Sequence, residues 1–259
     1  MAITFEEALE PLLNKIPDQT KGLLYVYLTS GGKPAEEDLQ DQVLESIGKH
    51  ITPTEIIERM KLSFQDGFGI IDWITGKSNN YGKCLDILTK DILAQAFNVS
   101  KPTFSTSENT WEGIEEREEW IRIRFIEHFW KGLGEEEKKK LVEAIADELR
   151  EEGINVDKVL KAISSGQGGL TVLRSLLGFK FHILTAKLVN MIAKLILGRG
   201  LSLAANAMIQ RYVAIIFGGP IGWGLFVIDL ISMLIPRDWK ALTPAIALIA
   251  LVRPEYREE

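Results

Sequence analysis

LSLAANAMIQRYVAIIFGGPIGWGLFVIDLISMLIP, residues 201–236, is the stretch on which the reading of this chain turns. From Tyr212 to Pro236 it holds 25 residues and one charge, Asp229. That length passes the ~18 residues that mark a candidate for crossing a membrane. The stretch is not one uninterrupted helix. Gly218-Gly219-Pro220 breaks it, because glycine relaxes the backbone and proline suits the first position of a new helix. The pattern predicts a helix over 201–217, carrying Asn206, Gln210 and Arg211, and a second from Pro220 to Ile235. The second has 16 residues, which is ~24 Å at ~1.5 Å per residue and short of a ~30 Å hydrocarbon core. Asp229 sits mid-segment, where a charge is costly in lipid unless paired or wet. Folding the two helices into a hairpin brings Arg211 to a similar depth, so the reading pairs Arg211 with Asp229 in the interior. Three settings accommodate such a hairpin: a membrane, the lining of a homo-oligomer, or the core of a soluble bundle.

Upstream, residues 170–197 read as a long apolar helix whose few charges are Arg174, Lys180, Lys187 and Lys194. The three lysines recur every seven residues, so on a straight helix they form one narrow cationic edge. Such an edge suits an anionic membrane surface, and it would equally serve as an ion-pairing edge toward acidic residues of the same chain. Charge is divided accordingly. Residues 161–259 carry 11 Lys+Arg and 5 Asp+Glu, whereas residues 1–160 carry 19 and 31. The sequence therefore reads as two parts: an acidic helical domain over 1–160 and a cationic, apolar helical hairpin domain over 161–259. The basic part is too apolar, and too poor in Lys/Arg clusters, for a nucleic-acid surface.

The acidic part reads as helices throughout, with no sustained strand alternation, which makes the fold class all-α. Thr4 followed by Glu7 forms a capping-box pattern ahead of Phe5, Ala8, Leu9 and Leu12. Thr52-Pro53-Thr54 marks another helix start, with Ile56, Ile57 and Met60 behind it. A helix is expected from Tyr81 to Phe97, with Leu85, Leu88, Ile92 and Ala96 on one face. Residues 99–110 are the most linker-like segment. The charged stretch 111–152 is helical with a break near Gly132–Gly134, and Gly153 ends it as a C′ residue. A short apolar run, Ala241 to Val252, precedes a polar tail.

Motifs that carry chemistry are not found. Gly69 to Ser78 invites a phosphate-loop reading, but six residues separate its first glycine from Gly76-Lys77-Ser78 where four are needed. His50, His128 and His182 are scattered, and Cys84 is the sole cysteine, so neither a metal site nor a disulfide is expected. Glu115, Glu116, Glu118 and Glu119 read as a solvated helix face. There is no nucleophile elbow. The opening MAITFEEALE has no positive n-region and no long apolar run, so no cleaved signal peptide is expected.

Gly219-Pro220-Ile221-Gly222-Trp223 resembles the hairpin turn of the YaaW-like bacterial proteins. Leu242-Thr243-Pro244-Ala245-Ile246-Ala247, ending near Val252-Arg253, resembles their closing segment. Phe68-Gly69, Gly76, Tyr81 and Leu85 resemble their Phe-Gly … Gly … Tyr-x-x-Ile-Leu stretch, with Cys84 standing where the family has Ile. That family is sometimes grouped with chaperones for ubiquinol–cytochrome c reductase assembly, which implies helical proteins working near membranes. The expectation is a non-enzymatic protein without cofactor, cytoplasmic and peripheral or integral at the inner membrane. Its partner would be an anionic membrane, contacted through Lys180, Lys187, Lys194, Gly218, Gly219, Pro220 and Trp223. The alternative is a soluble chaperone-like module that grips a membrane-protein client.

Overall fold

The computed structural model describes residues 2–30, 50–66, 79–167, 169–181, 183–185, 187–188 and 239–256. These residues are helical with irregular connections and no strand. The one β-type contact among them is an isolated bridge between Thr4 and Asn80. The fold class is all-α. The hairpin helices expected over 201–217 and 220–235 lie outside the described residues.

Local signals placed the helix starts. In α1 (Phe5–Leu13) the Glu7 amide donates to Thr4 Oγ1 at 3.1 Å, and the Thr4 amide donates to Glu7 Oε2 at 2.8 Å. This reciprocal pair satisfies two donors that a helix N-terminus otherwise leaves orphaned. Helix α2 (Asp18–Thr29) follows Pro17. Helix α3 (Pro53–Asp66) begins on its proline, and Thr52 and Glu55 repeat the reciprocal cap at 2.7 and 3.3 Å.

Helix α4 (Tyr81–Ile87) continues through a π-helical turn, Leu88–Leu93, into Ala94–Ala96. A π-turn inserts one residue and rotates everything after it by about 100°. The expected inward face is therefore kept at Leu85 and Leu88 but lost beyond. Leu93 and Ala94 are buried, whereas Ile92 and Ala96 are only partly covered.

Contacts divide the described chain into two compact units, Met1–Ile121 with Gly224–Glu259 and Arg122–Trp223. This grouping differs from the compositional division at residue 160. In the first unit α3 packs on α1 and α2, and α2 and α3 pack on α10 (Leu242–Val252). All eleven residues of α10 are buried. Nothing on α10 faces water, and among the described residues its cover comes from the N-terminal helices α2 and α3. Phe5 meets Phe64 at a tilt and Tyr81 edge-on, with ring centroids 5.8 and 5.3 Å apart, and Trp239 meets Phe64 edge-on at 5.9 Å. Each such ring buries enough apolar surface to contribute about 2 kcal/mol.

The division falls within α5 (Trp111–Gly132). The second unit continues with α6 (Glu135–Ala144), α7 (Ala146–Glu151) and α8 (Val156–Ala162), which runs into a π-turn to Gln167. Gly153 ends the α7 segment as expected, at φ +69°. Its amide donates to the Arg150 carbonyl and the Ile154 amide to Leu149, both at 2.9 Å. These are the two bonds of a Schellman motif, and buried Leu149 and Ile154 supply its apolar contact.

The single long helix expected over 170–197 is not formed. Helix α9 (Leu170–Leu177) stops at Gly178, whose φ of +55° ends the helical path, and a 3₁₀ turn, Gly178–Lys180, follows. Glycine alone adopts that backbone without strain, and an apolar period cannot override it.

The segment 99–110 is also not a linker. Its Ser and Thr groups are held by Glu116 of α5, which accepts from the Ser105 and Thr106 amides and from both hydroxyls at 2.6–3.1 Å. Those backbone and hydroxyl donors stabilise the ionised carboxylate and depress it to about 2. A carboxyl depressed in the folded state contributes stability above its unfolded pKa of about 4.3, and that contribution is lost as pH falls toward about 2. Because Glu116 is partly exposed, its worth is about 1 kcal/mol at most. Glu116→Gln is expected to be less stable than wild type at pH 7, with the gap closing between about pH 5 and 2. Urea unfolding of both proteins across that range checks this, and a gap independent of pH rejects it.

Candidate functional site

The cationic edge can be followed at two of its three lysines. Lys180 lies in the 3₁₀ turn after Gly178, and Lys187 lies seven residues on in helical backbone. Both converge on the residues that follow α7. Lys180 Nζ donates to the Gly153 carbonyl at 2.8 Å and to the Glu152 carbonyl at 3.3 Å. Lys187 Nζ lies 3.8 Å from Glu152 Oε1. The last carbonyls of a helix are unsatisfied and carry the negative end of its dipole, so an ammonium is favoured there. Of the residues nominated from sequence, Lys194, Arg211, Gly218, Gly219, Pro220, Trp223 and Asp229 lie outside the described residues, and with them the Arg211–Asp229 pair. Near the edge, α9 turns Leu173 inward and leaves Val172 and Leu176, four residues apart on one face, 42% and 44% exposed.

The first unit holds a polar centre that the sequence reading missed. Glu118 is fully buried rather than solvated. Its carboxylate accepts from the Tyr81 hydroxyl at 2.8 Å and from Arg253 Nε at 2.7 Å, and Arg253 Nη1 donates to the Ala8 carbonyl at 3.0 Å. Three stretches far apart in sequence thus meet on one carboxylate. Burial, and then the charge of Glu118, push the Tyr81 phenol well above its ordinary value. Burial alone would lower the Arg253 guanidinium, but Glu118 and Tyr81 outweigh it and hold it above the usual range.

Beside this centre, Arg117 is almost fully buried. It donates to Asp86 Oδ1 through Nε and Nη2 at 2.9 and 2.6 Å and to the Gly113 carbonyl at 2.9 Å, with its guanidinium 4.3 Å from the Phe104 ring centroid. Burial by itself would raise the Asp86 carboxyl, but Lys90 and Arg117 hold it below the ordinary range. The available signal was spacing: Arg117 and Glu118 stand three and four residues after Ile114 and four and three before Ile121, on the apolar stripe of α5.

These groups pair side chains from different helices, which suits them to pinning those helices together. The Cys84 thiol is buried and pushed well above its ordinary pKa by that burial, so it stays protonated and unreactive. Among the described residues no group of three or more His, Cys, Asp or Glu is placed to hold a metal ion. Among the same residues no helix is long and apolar enough to cross a membrane.

No family model matches the chain, and no solved structure matches it. Over 76 residues the chain is 34% identical to a UPF0174 protein of Helicobacter pylori (strain J99). That match spans 29% of this chain and 30% of the relative, so it is a likeness between segments.

Proposed function

We propose that this is a non-enzymatic helical protein of the YaaW-like kind that works peripherally at the cytoplasmic face of a bacterial inner membrane, with the cationic apolar part meeting anionic lipid. The observation that carries the reading is the run from Tyr212 to Pro236, 25 residues with one charge, set in a part of the chain with an excess of Lys and Arg. The exposed Val172 and Leu176 of α9 support it, since they add apolar surface next to the basic edge. Liposome flotation of the full-length protein tests it. Binding to vesicles with phosphatidylglycerol, weakened by salt, is expected; protein that stays soluble with every vesicle sinks the reading. Replacing Lys180, Lys187 and Lys194 together by Gln is expected to weaken that binding by about 3 kcal/mol at low salt, because each near-surface lysine contributes about 1 kcal/mol.

A second reading is favoured by the engagement of Lys180 and Lys187 with Glu152 and Gly153. In it the chain is a soluble chaperone-like module for a membrane-protein client, and the lysines are internal struts. The triple Gln variant then melts at a lower temperature while neither it nor the wild type floats.

A further inference from the structure

Lys180 and Lys187 reach the same residue by different routes, one through the Glu152 backbone and the other through its side chain. Gly153 lies beside this docking place, at a φ of +69° that favours glycine. All four residues belong to the second unit. The carboxylate is accessible, with the Glu152 side chain 46% exposed and that of Lys187 26% exposed. Exposed pairs of this kind are weak and are screened by salt, so a dense array of phosphates can displace the carboxylate.

We propose that the Glu152 carboxylate is an internal competitor of anionic surfaces: by holding Lys187 it sets a threshold of negative charge that a membrane must exceed before this lysine engages it. The inference rests on the membrane reading above. Its consequence is selectivity, since vesicles with little anionic lipid leave Lys187 on Glu152 while richly anionic ones capture it.

The test is flotation of full-length Glu152→Gln on phosphatidylcholine vesicles with graded phosphatidylglycerol, beside Glu143→Gln, which makes the same charge change at another exposed position of the unit. Glu152→Gln is expected to bind roughly fivefold more tightly than wild type at low salt, equivalent to about 1 kcal/mol at 1.4 kcal/mol per tenfold. Its midpoint should shift to lower anionic content. Glu143→Gln should gain less than about twofold, because it changes the net field while leaving Lys187 on Glu152. The gain from Glu152→Gln should vanish when Lys187 is already Gln and persist when Lys180 alone is Gln. Amine labelling of Lys187 without vesicles should rise in Glu152→Gln, while that of Lys180, held by the backbone carbonyls of Glu152 and Gly153, should not. Equal gains for the two Glu variants overturn the competition and leave the membrane reading standing. Absence of flotation by every protein overturns both.

Discussion

Gly82→Ala and Gly113→Ala are each expected to destabilise the protein by about 3 kcal/mol or more, the upper range for forcing atoms into a packed site. A Cβ at Gly82 would stand 1.7 Å from the Glu108 carbonyl oxygen, and one at Gly113 would stand 1.7 Å from that of Ser107. Both obstacles are backbone, so no rotamer change relieves them. The two carbonyls belong to adjacent residues of one loop, which is gripped from the first turn of α4 and the first turn of α5 at once. Thr110 Oγ1 donates to the Ser107 carbonyl at 3.0 Å, and Asn80 Nδ2 donates to Asn109 Oδ1 at 2.8 Å. Moving the loop away by the needed ångström or more would break these bonds and those from Ser105 and Thr106 to Glu116. Gly169→Ser is the contrast. It stands at the N-cap of α9 with open space around its Cβ position, and Ser is a preferred cap, so stability should hold or rise slightly. Urea unfolding followed by helical circular dichroism measures all three at constant m. A loss under about 1 kcal/mol at both Gly82 and Gly113 would mean the loop is not held by these glycines.

What could be read from sequence was what is decided within a few residues. Thr4, Thr52 and Gly153 announce caps because the atoms that satisfy a helix end lie three to five positions away. Ile56, Ile57 and Met60 announce a buried face because an α-helix keeps its period. The same logic failed where the period itself changed, at the π-turn Leu88–Leu93 and at Gly178. Composition misled at both extremes. A segment rich in Ser and Thr looked like a linker, although those side chains bind Glu116 across eleven or ten positions. A row of glutamates looked like a wet face, although Glu118 finds its cation 135 residues away. The destination of Leu242–Val252 was equally non-local: an apolar run states that it must be covered but not by which helices. The lysine edge was legible as residues and ambiguous as a role, since a cation seven residues from the next suits lipid and carboxylate alike.

Arg253→Met is expected to cost about 3–5 kcal/mol, because it leaves the Glu118 carboxylate buried without its cation. Glu118 is wholly inaccessible and the Arg253 side chain is 17% exposed, so little water replaces the lost partner. The arginine also holds α1, through the Ala8 carbonyl, against the end of α10. Tyr81→Phe removes one of the two hydrogen bonds to the same carboxylate and should cost less, about 1–2 kcal/mol, since the ion pair remains. Glu118→Gln should also be severe, leaving Arg253 as an uncompensated cation. The distinguishing case is the double change, Arg253→Met with Glu118→Leu. It removes both charges and restores apolar volume, so its loss should fall well short of the summed single losses, by about 2 kcal/mol or more. Chemical denaturation of the four proteins forms a double-mutant cycle with Glu118→Leu as its fourth member. If the losses simply add, the two residues act independently and the buried pair is not what ties the C-terminal helix to α5. A double variant as stable as wild type or more so would instead mean that the pair contributes position rather than net stability: it selects which end of α10 meets Glu118, at a desolvation cost that apolar side chains avoid.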